Sequence, residues 1–445
     1  MSQRFVWIRG GRVLDPATGF DGLTDILVED DRIAAVGQVS VPTNAEVTEL
    51  QAQGLVVTPG LIDMHAHLRE PGNEEEETIH SGSRAAVRGG VTSVASFPDT
   101  DPAVDNDAAA EFVVLQGKRA GFANVFPVGA VTLGRSGGGL AEIGGLVRAG
   151  AVAFSDGDTS IRSTEIMRRG LLYAKMFEKV VIAHCEDSEL RGPGVMNYGK
   201  VALRLGLPGI PAASEDIVIA RDIRLAEITQ GSLHLGNMST QDGVAQLRVA
   251  KARGLDVTGE VTPPHFALTE DHVVGYDPNF KLIPPLRTSE DQEALIEGLR
   301  ESVIDVIASG HAPHSPEEKA VEFIYAPPGV IGLETLFPVS YTVLVETNGL
   351  DLLSVIAKLT INPARILRLD AELGSLEVGK KADISMFDLE REWTIAATDF
   401  ASKSTNTCFS GWRVKGTAVN VLVSGRLVLS DGNLVDPRSH ATSLG

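Results

Sequence analysis

At residues 58–67 the sequence reads Thr58-Pro59-Gly60-Leu61-Ile62-Asp63-Met64-His65-Ala66-His67. The apolar residues after Gly60 predict a buried β-strand, and two histidines follow at its carboxyl end. On a strand, positions i and i+2 point to the same face, so His65 and His67 are placed to bind one metal ion. A His-x-His pattern alone is weak evidence, and its meaning depends on the rest of the chain.

Further apolar runs follow this strand, with helix-like stretches between them. The predicted strands are 61–65, 91–95, 125–129, 151–154, 180–183, 233–235, 255–257 and 303–307. The clearest helical patterns are 163–178, 214–230, 240–254 and 289–301. This alternation is typical of a parallel sheet, and eight repeats predict an α/β fold, a (β/α)8 TIM barrel.

Most of the predicted strands end in polar, reactive side chains. They are His65, His67, Asp99, Asp156, Asp158, His184, Asn237, His265, His311 and His314. In a barrel the carboxyl ends of the strands share one face, and that face carries the active site. Ordinary polar turns explain one or two such endings but not a ring of histidines and aspartates, so the pattern predicts a catalytic or metal site there.

The two ends of the chain have a different pattern, with short alternating β runs and turns. We therefore predict a small β-sandwich-like domain formed by residues 1–57 together with residues 370–445. The barrel then occupies residues 58–369.

Composition narrows the possible partners and location. The 445 residues are 43% hydrophobic, and 39 Lys and Arg against 59 Asp and Glu give a net charge of -20. This charge argues against nucleic acid or an anionic membrane as partner. Cys185 and Cys408 are too few for a disulfide framework, and Cys185 is expected to be an inert core thiol. With no apolar run that spans a bilayer and no signal-peptide pattern, we predict a cytoplasmic location.

Motifs along nearly the whole chain carry a family resemblance. They are His65-Ala66-His67-Leu68-Arg69-Glu70-Pro71-Gly72, Ala183-His184-Cys185-Glu186-Asp187, Glu260-Val261-Thr262-Pro263, Pro284-Pro285-Leu286-Arg287, His311-Ala312-Pro313-His314 and Gly332-Leu333-Glu334-Thr335. With these motifs the chain resembles the amidohydrolase superfamily, and most closely dihydroorotases of the larger bacterial type. The resemblance implies a barrel of the metallo-dependent hydrolase type. It also implies reversible hydrolysis of dihydroorotate to N-carbamoyl-L-aspartate by a metal-bound hydroxide, a step of de novo pyrimidine biosynthesis.

The resemblance also implies roles for individual residues. His65 and His67 match the ligands of one Zn²⁺ ion and His184 matches a ligand of a second, so one or two zinc ions are expected. The bridging carboxylate falls by ungapped spacing on Gly157, which leaves Asp156 or Asp158 to supply it. Three further positions match substrate contacts, namely Arg69, Asp99 and His314.

Several positions depart from the family pattern. Asn237 stands where the family has a second histidine, and Gly310 stands where it has the catalytic aspartate, so we assign no catalytic residue with certainty. Asp99 and Ile283 replace asparagines, and Pro264 stands where a histidine is usual. Asp99 or His314 could take over proton transfer.

Other polar residues are read as structural. His234 is expected to be a packed histidine and Asp305 a structural residue inside strand eight. The acidic run Glu74–Glu77 is predicted to be a solvated loop.

The departures leave two other functions open beside dihydroorotase activity. One is a non-catalytic homologue that serves as a structural partner of aspartate carbamoyltransferase, and the other is a hydrolase of a different cyclic amide. In each case we expect a homo-oligomer, and for the hydrolases a small-molecule substrate similar to dihydroorotate.

Overall fold

A computed structural model gives the structure of residues 3–41 and 46–437. Parts of the predicted terminal domain, residues 1–2, 42–45 and 438–445, lie outside these described residues. The strands are β1 (Arg4–Asp15), β2 (Phe20–Glu29), β3 (Arg32–Gly37), β4 (Glu46–Gln51), β5 (Val56–Pro59), β6 (Leu61–Ala66), β7 (Val91–Ser96), β8 (Asn124–Gly129), β9 (Ala153–Phe154), β10 (Val180–His184), β11 (Met196–Asn197), β12 (Gly209–Ile210), β13 (Leu233–Gly236), β14 (Val257–Val261), β15 (Val306–Ile307), β16 (Ile384–Thr394), β17 (Arg413–Val423), β18 (Arg426–Ser430) and β19 (Asn433–Leu434). The helices are α1 (Ile79–Arg88), α2 (Asp107–Ala120), α3 (Ile143–Arg148), α4 (Thr164–Lys175), α5 (Ser188–Arg191), α6 (Lys200–Leu205), α7 (Ala213–Thr229), α8 (Gln241–Ala252), α9 (Pro263–Ala267), α10 (Ser289–Arg300), α11 (Pro316–Lys319), α12 (Leu336–Ser340), α13 (Leu352–Leu359) and α14 (Ile361–Ile366).

The predicted barrel is confirmed. Within the described ranges, eight parallel strands follow one another in the order β6, β7, β8, β9, β10, β13, β14 and β15. A parallel bridge between Ala66 and His311 links the first strand to the segment after the eighth. The backbone N–H of His67 also donates to the carbonyl oxygen of His311 over 2.8 Å. The carboxyl ends of the strands therefore meet on one face, as the active-site prediction requires.

The four clearest predicted helices are present as α4, α7, α8 and α10. Hydroxyl side chains cap three of them, because they satisfy backbone N–H groups that have no partner in the first helical turn. The Ser163 side chain accepts from the N–H of Ile166, and that of Thr240 accepts from the N–H of Gly243. Thr288 forms a reciprocal capping box with Asp291.

The seventh strand lies further along the chain than predicted. The apolar run indicated residues 255–257, whereas β14 covers Val257–Val261. Leu255 belongs to the turn after α8, where its N–H donates to the Ala250 carbonyl oxygen. The strand continues through Glu260, whose side chain is fully buried although it is charged. A search for apolar residues therefore ends the strand too early.

Both ends of the chain join in a second sheet. Its strand order is β19, β18, β17, β16, β5, β1, β2 and β3, and β4 pairs with β1. The strand β16 runs antiparallel to β5, so the carboxyl-terminal strands extend the sheet of the amino-terminal ones. Phe387 of this sheet stacks on Phe337 of α12, with ring centroids 3.9 Å apart. The exact boundaries at 57/58 and 369/370 remain a prediction.

Most of the buried apolar side chains form one large cluster that includes residues of the barrel strands and of the helices packed around them. A smaller cluster joins barrel strands to α14, through residues such as Met64, Ile182 and Ala364. No helix in the described ranges is both long and apolar enough to span a membrane.

Candidate metal centre

The two strand-one histidines lie together at the carboxyl end of β6. Their ring centroids are 5.5 Å apart, and both side chains are almost completely buried. His65 also stacks on Phe97, which follows β7, at 4.0 Å between centroids. The strand geometry that the His-x-His spacing predicts is therefore present, and the neighbouring strand fixes one of the two rings.

A carboxylate holds the Nδ1 atom of each of these histidines. His65 Nδ1 makes a hydrogen bond with Glu260 of β14, and His67 Nδ1 lies 2.7 Å from Asp99 Oδ1. Burial alone would raise the pKa of Glu260, but His65 and His234 lower it to about 2. A carboxylate at Nδ1 stabilises the tautomer with its proton there, which leaves the Nε2 lone pair free for a metal.

The Nε2 atoms of the candidate ligand histidines have lone pairs that no hydrogen bond within the described residues uses, as a metal site requires. His65 Nε2 is buried and has no hydrogen-bond partner among the described residues, and the same holds for His184 Nε2 at the end of β10. His67 Nε2 lies 3.5 Å from Asp158 Oδ1. Potential ligand atoms of His65, His67 and Asp158 all lie within 4.8 Å of one another. These residues fit a metal ion, because buried imidazole nitrogens without partners are otherwise costly.

Asp158 is the aspartate that joins the histidines. Its side chain is 49% exposed, and although partial desolvation opposes its ionisation, His67, and to a smaller degree His184 and His65, lower the pKa of Asp158. Asp156 is engaged elsewhere, because its carboxylate accepts from the N–H groups of Val131 and Thr132 at 2.9 Å and from the Thr132 hydroxyl. Of the two alternatives left open by the sequence, the structure therefore brings only Asp158 to the cluster.

The three residues matched to substrate contacts form a charged network. Arg69 Nη1 lies 2.8 Å from Asp99 Oδ2, and Arg69 Nε lies 2.8 Å from Glu76 Oε2. His314 Nδ1 lies 3.2 Å from Glu76 Oε1, and His314 Nε2 donates to the Pro328 carbonyl oxygen over 2.9 Å. Both nitrogens of His314 and two edges of the Arg69 guanidinium are thus engaged by this protein's own groups.

The prediction that Glu74–Glu77 form a solvated loop is wrong for Glu76 and Glu77. Glu76 is buried in the Arg69 network, and the fully buried Glu77 lies 3.4 Å from His311 Nε2 and bonds Ser402. Four consecutive glutamates give no local signal for this, because their partners are distant in the sequence.

Four of the replaced positions, Asn237, Pro264, Ile283 and Gly310, line a cavity of about 120 Å³ beside the candidate metal cluster. Its lining comprises His67, Asp158, Arg191, Asn237, Thr262, Pro264, His265, Leu282, Ile283, Ser309, Gly310, Ala312, Pro328, Gly329 and Val330. The Asn237 side-chain oxygen is buried without a partner among the described residues. Gly310 has φ of 57°, and a Cβ there would lie 2.9 Å from Thr262 Cγ2. The chain therefore departs from the family pattern at the walls of the candidate site itself.

His265 also lines this cavity, yet both of its ring nitrogens are engaged. Its Nδ1 lies 2.6 Å from the Thr262 hydroxyl and its Nε2 lies 3.0 Å from the Pro284 carbonyl oxygen. Burial lowers the pKa of His265 to about 4, so the ring is neutral at physiological pH.

Two residues of this site carry no role in the sequence prediction. Glu260 stands inside a recognised motif, and extending the seventh strand by alternation would have pointed it to the same side as the ligands. Arg191 ends the short helix α5, and nothing in its local sequence indicates that it reaches the cavity. His234 is a packed histidine as predicted, with Nδ1 2.7 Å from the Thr258 hydroxyl and Nε2 3.2 Å from Glu260.

Comparison with known proteins places this chain in a class. Residues 54–243 match the family model described as dihydro-orotase-like, and residues 324–429 match the amidohydrolase family. The L-hydantoinase (dihydropyrimidinase) of Arthrobacter aurescens superposes with a TM-score of 0.84 at 25% identity, over 97% of each chain. The D-hydantoinase of a Thermus species gives a TM-score of 0.81 at 25% identity, over 97% of this chain and 96% of that one. The fold is that of an amidohydrolase.

Curated relatives narrow the class further. The dihydroorotase of Syntrophotalea carbinolica is 48% identical over 428 residues, which is 96% of this chain and 100% of that protein. The dihydroorotase of Geobacter metallireducens is 47% identical over 422 residues, 95% of this chain and 98% of that protein. The chain belongs to the dihydroorotase family.

Proposed function

We propose that this chain is a zinc-dependent cyclic amidohydrolase that interconverts dihydroorotate and N-carbamoyl-L-aspartate. The observation that carries the proposal is the set of unpartnered Nε2 atoms on His65 and His184, with His67 Nε2 beside Asp158. Near-complete coverage by relatives named dihydroorotase supports the choice of substrate.

The residues that would hold zinc are His65, His67, Asp158 and His184, a donor set of nitrogen and oxygen atoms that zinc accepts. When bound, zinc supplies Lewis acidity and lowers the pKa of a coordinated water. The part of this chain is to hold the imidazoles in one tautomer, through Glu260 and Asp99.

We assign proton transfer to Asp158. Gly310 has no side chain, and the two substitutes considered from sequence are engaged, Asp99 by His67 and Arg69, and His314 by Glu76 and Pro328. Asp158 is the one carboxylate among the described residues that line the cavity. It would accept a proton from the attacking water and deliver it to the ring nitrogen as the C–N bond breaks.

An assay of both reaction directions tests the proposal. Purified protein should convert dihydroorotate to N-carbamoyl-L-aspartate and back with added zinc, and a chelator should abolish both reactions. The variant Asp158→Asn should lose turnover, whereas Glu165→Gln, an exposed control on α4, should not. An absence of turnover in both directions with zinc present would contradict the proposal and favour a non-catalytic homologue, while turnover that resists chelation would contradict the metal.

Assembly and location are part of the same proposal. We propose a cytoplasmic homo-oligomer that associates with aspartate carbamoyltransferase. Two free, buried cysteines are compatible with a reducing compartment. Analytical ultracentrifugation of the chain alone, and then with a carbamoyltransferase, checks both associations.

A further inference from the structure

A second cavity lies where the barrel meets the terminal sheet, between α1, α12, β16, β17 and the turn that joins β18 to β19. We call it the seam cavity, and its wall includes Arg88, Arg391, Trp393, Thr417 and Asp431. Its volume is about 480 Å³, compared with about 120 Å³ beside the metal cluster, and no described residue lines both cavities. Small-molecule sites have volumes of roughly 300–1,000 Å³, so the seam cavity is large enough to bind a ligand of its own.

Two polar side-chain atoms of this wall are buried and have no partner within the described residues. They are Trp393 Nε1 and Thr417 Oγ1. The indole N–H can only donate, so it requires an acceptor, whereas the hydroxyl can donate or accept. A buried donor without an acceptor is unfavourable. A ligand with acceptor atoms in the seam cavity would satisfy both groups.

The backbone beside these groups forms a β-bulge. Residues 389–391 of β16 stand opposite Gly416 of β17 alone, because the pairing of the two strands shifts there. Bulges are frequent next to functional sites, since they redirect a side chain. Here the bulge brings Arg391 to the cavity wall, and its guanidinium makes no hydrogen bond or ion pair within the described part of the chain.

Arg88 supplies further guanidinium donors from the barrel side, and its position is fixed. Its Nη1 donates to the Asp399 carbonyl oxygen over 2.7 Å, and its Nε lies 3.3 Å from Glu334 Oε2. Its Nη2 remains without a partner among the described residues. Together with Arg391, this atom offers donors that suit the oxygens of a phosphate group.

The same wall also carries acceptors, which argue against a simple anion as the ligand. Asp431 and Asp399 both line the cavity, and the Asp431 carboxylate has no partner in the described ranges. A carboxylate is suited to bind ribose hydroxyls. Trp393 and Phe400 add aromatic rings, which favour a flat heterocycle. A ligand that combines phosphate, hydroxyl groups and a ring matches all of these groups.

We propose that the seam cavity binds a nucleoside monophosphate. In this arrangement the phosphate binds Arg391 and Arg88, the ribose hydroxyls donate to Asp431, and the base offers acceptor atoms to Trp393 and Thr417. The site goes beyond the proposed function, because it uses no residue of the metal centre and no step of hydrolysis.

Calorimetric titration of the purified protein tests this site without relying on turnover. Uridine and adenosine monophosphates are the probes, and the two nucleosides and inorganic phosphate each lack one part of the ligand. We expect a nucleotide to bind with the same affinity with zinc and with a chelator. Arg391→Gln, a change at an exposed residue, should weaken nucleotide binding roughly 10-fold and leave nucleoside binding unchanged. Trp393→Phe keeps a ring but removes the N–H, so it should weaken nucleotide and nucleoside alike, roughly 3- to 10-fold.

Matched controls replace residues of the same types that do not line the seam cavity. Arg413 is 80% exposed and lies 3.8 Å from Glu392, so Arg413→Gln should leave nucleotide affinity unchanged. Trp412 packs on Phe409 with ring centroids 5.1 Å apart, so Trp412→Phe should also have no effect.

The inference is overturned if neither nucleotide binds, if binding requires zinc, or if inorganic phosphate binds as tightly as the nucleotides. It is also overturned if Arg391→Gln has no effect, or if Arg391→Gln and Arg413→Gln weaken binding equally, which would indicate a general effect of charge. Failure of the hydrolysis assay would contradict the proposed function and leave this inference standing.

Discussion

The two halves of the candidate metal centre differ in what lies behind the ligands. On the strand-one half, His65 and His67 are each held at Nδ1 by a buried carboxylate. The opposite half comprises His184 at the end of β10, Asn237 after β13 and Gly310 after β15, and the last two offer no imidazole and no carboxylate. Metal affinity depends on the groups that orient and charge the ligands as well as on the ligands themselves. We therefore expect the strand-one half to bind metal more tightly.

Removing a strand-one ligand should have the largest effect. We expect His67→Ala to lower kcat/KM for dihydroorotate on the order of 10³-fold or more. The variant removes both a candidate metal ligand and the imidazole that lies beside Asp158. His184→Ala should cost less if the opposite half contributes weakly. His272→Ala, an exposed histidine outside the cavity, serves as control. Equal losses of kcat/KM for His67→Ala and His184→Ala would contradict the expected difference between the two halves.

Restoring the opposite half should raise activity. Gly310→Asp adds a carboxylate at the cavity wall, and an acid–base group contributes about 10² to 10⁴-fold. Aspartate tolerates the positive φ of 57°, but its Cβ would crowd Thr262 Cγ2 at 2.9 Å. We therefore pair it with Thr262→Ser, which removes that methyl group and keeps the hydroxyl on His265. The double variant should show a kcat about 100-fold above that of Thr262→Ser alone. No gain would contradict the expectation that the opposite half limits the reaction.

Weakening the carboxylates behind the strand-one half should lower metal affinity without removing a ligand. Glu260→Gln and Asp99→Asn should each weaken zinc binding roughly 10- to 100-fold in chelator competition. Asp305→Asn is the matched control, since Asp305 pairs with Lys251 of α8 and accepts from the Gly259 N–H of β14, and has no contact with the histidines. Weaker zinc binding in all three variants would indicate general destabilisation of the fold rather than loss of ligand orientation.

The smallest expected effect concerns a buried charge away from the site, Lys358. Unlike Glu260, which is paired with two histidines, this lysine has no charged partner among its hydrogen bonds, so its burial lowers the stability of the fold. Lys358 is 1% exposed, and its Nζ donates to the Ile304 carbonyl oxygen over 2.8 Å. Burial lowers the pKa of Lys358 from 10.5 to about 8. The unfolded chain then binds the proton more tightly, so burial of this lysine costs stability below pH 8, and the cost disappears as pH rises to 10.5.

We therefore expect Lys358→Met to raise the free energy of unfolding by about 1 kcal/mol at pH 7, after the lost hydrogen bond offsets part of the gain. The gain should vanish near pH 10.5, and urea unfolding at both pH values measures it. A gain that does not depend on pH would show that packing, not charge, explains it.

The sequence predicts the barrel well because its signals are local. Alternating strands and helices, and side chains such as Thr240 and Thr288 at helix starts, depend on neighbours within a few residues. His65 and His67 are found for the same reason, since two positions on one strand share a face.

Residues that act through distant partners are harder to predict. Glu260 and Glu77 acquire their roles from His65 and His311, which lie far away in the chain. The choice between Asp156 and Asp158 depends on whether the loop at Val131 and Thr132 captures one of them. No pattern within the sequence states this, because it follows from how the loops pack above the barrel.

Zinc content per chain, measured by elemental analysis after extensive dialysis and compared with dihydroorotate turnover on the same sample, tests the central claim most directly. We predict one firmly held zinc per chain, bound by the strand-one half and lost in His67→Ala, together with measurable turnover. Protein that retains no zinc and shows no turnover when zinc is supplied would contradict the account.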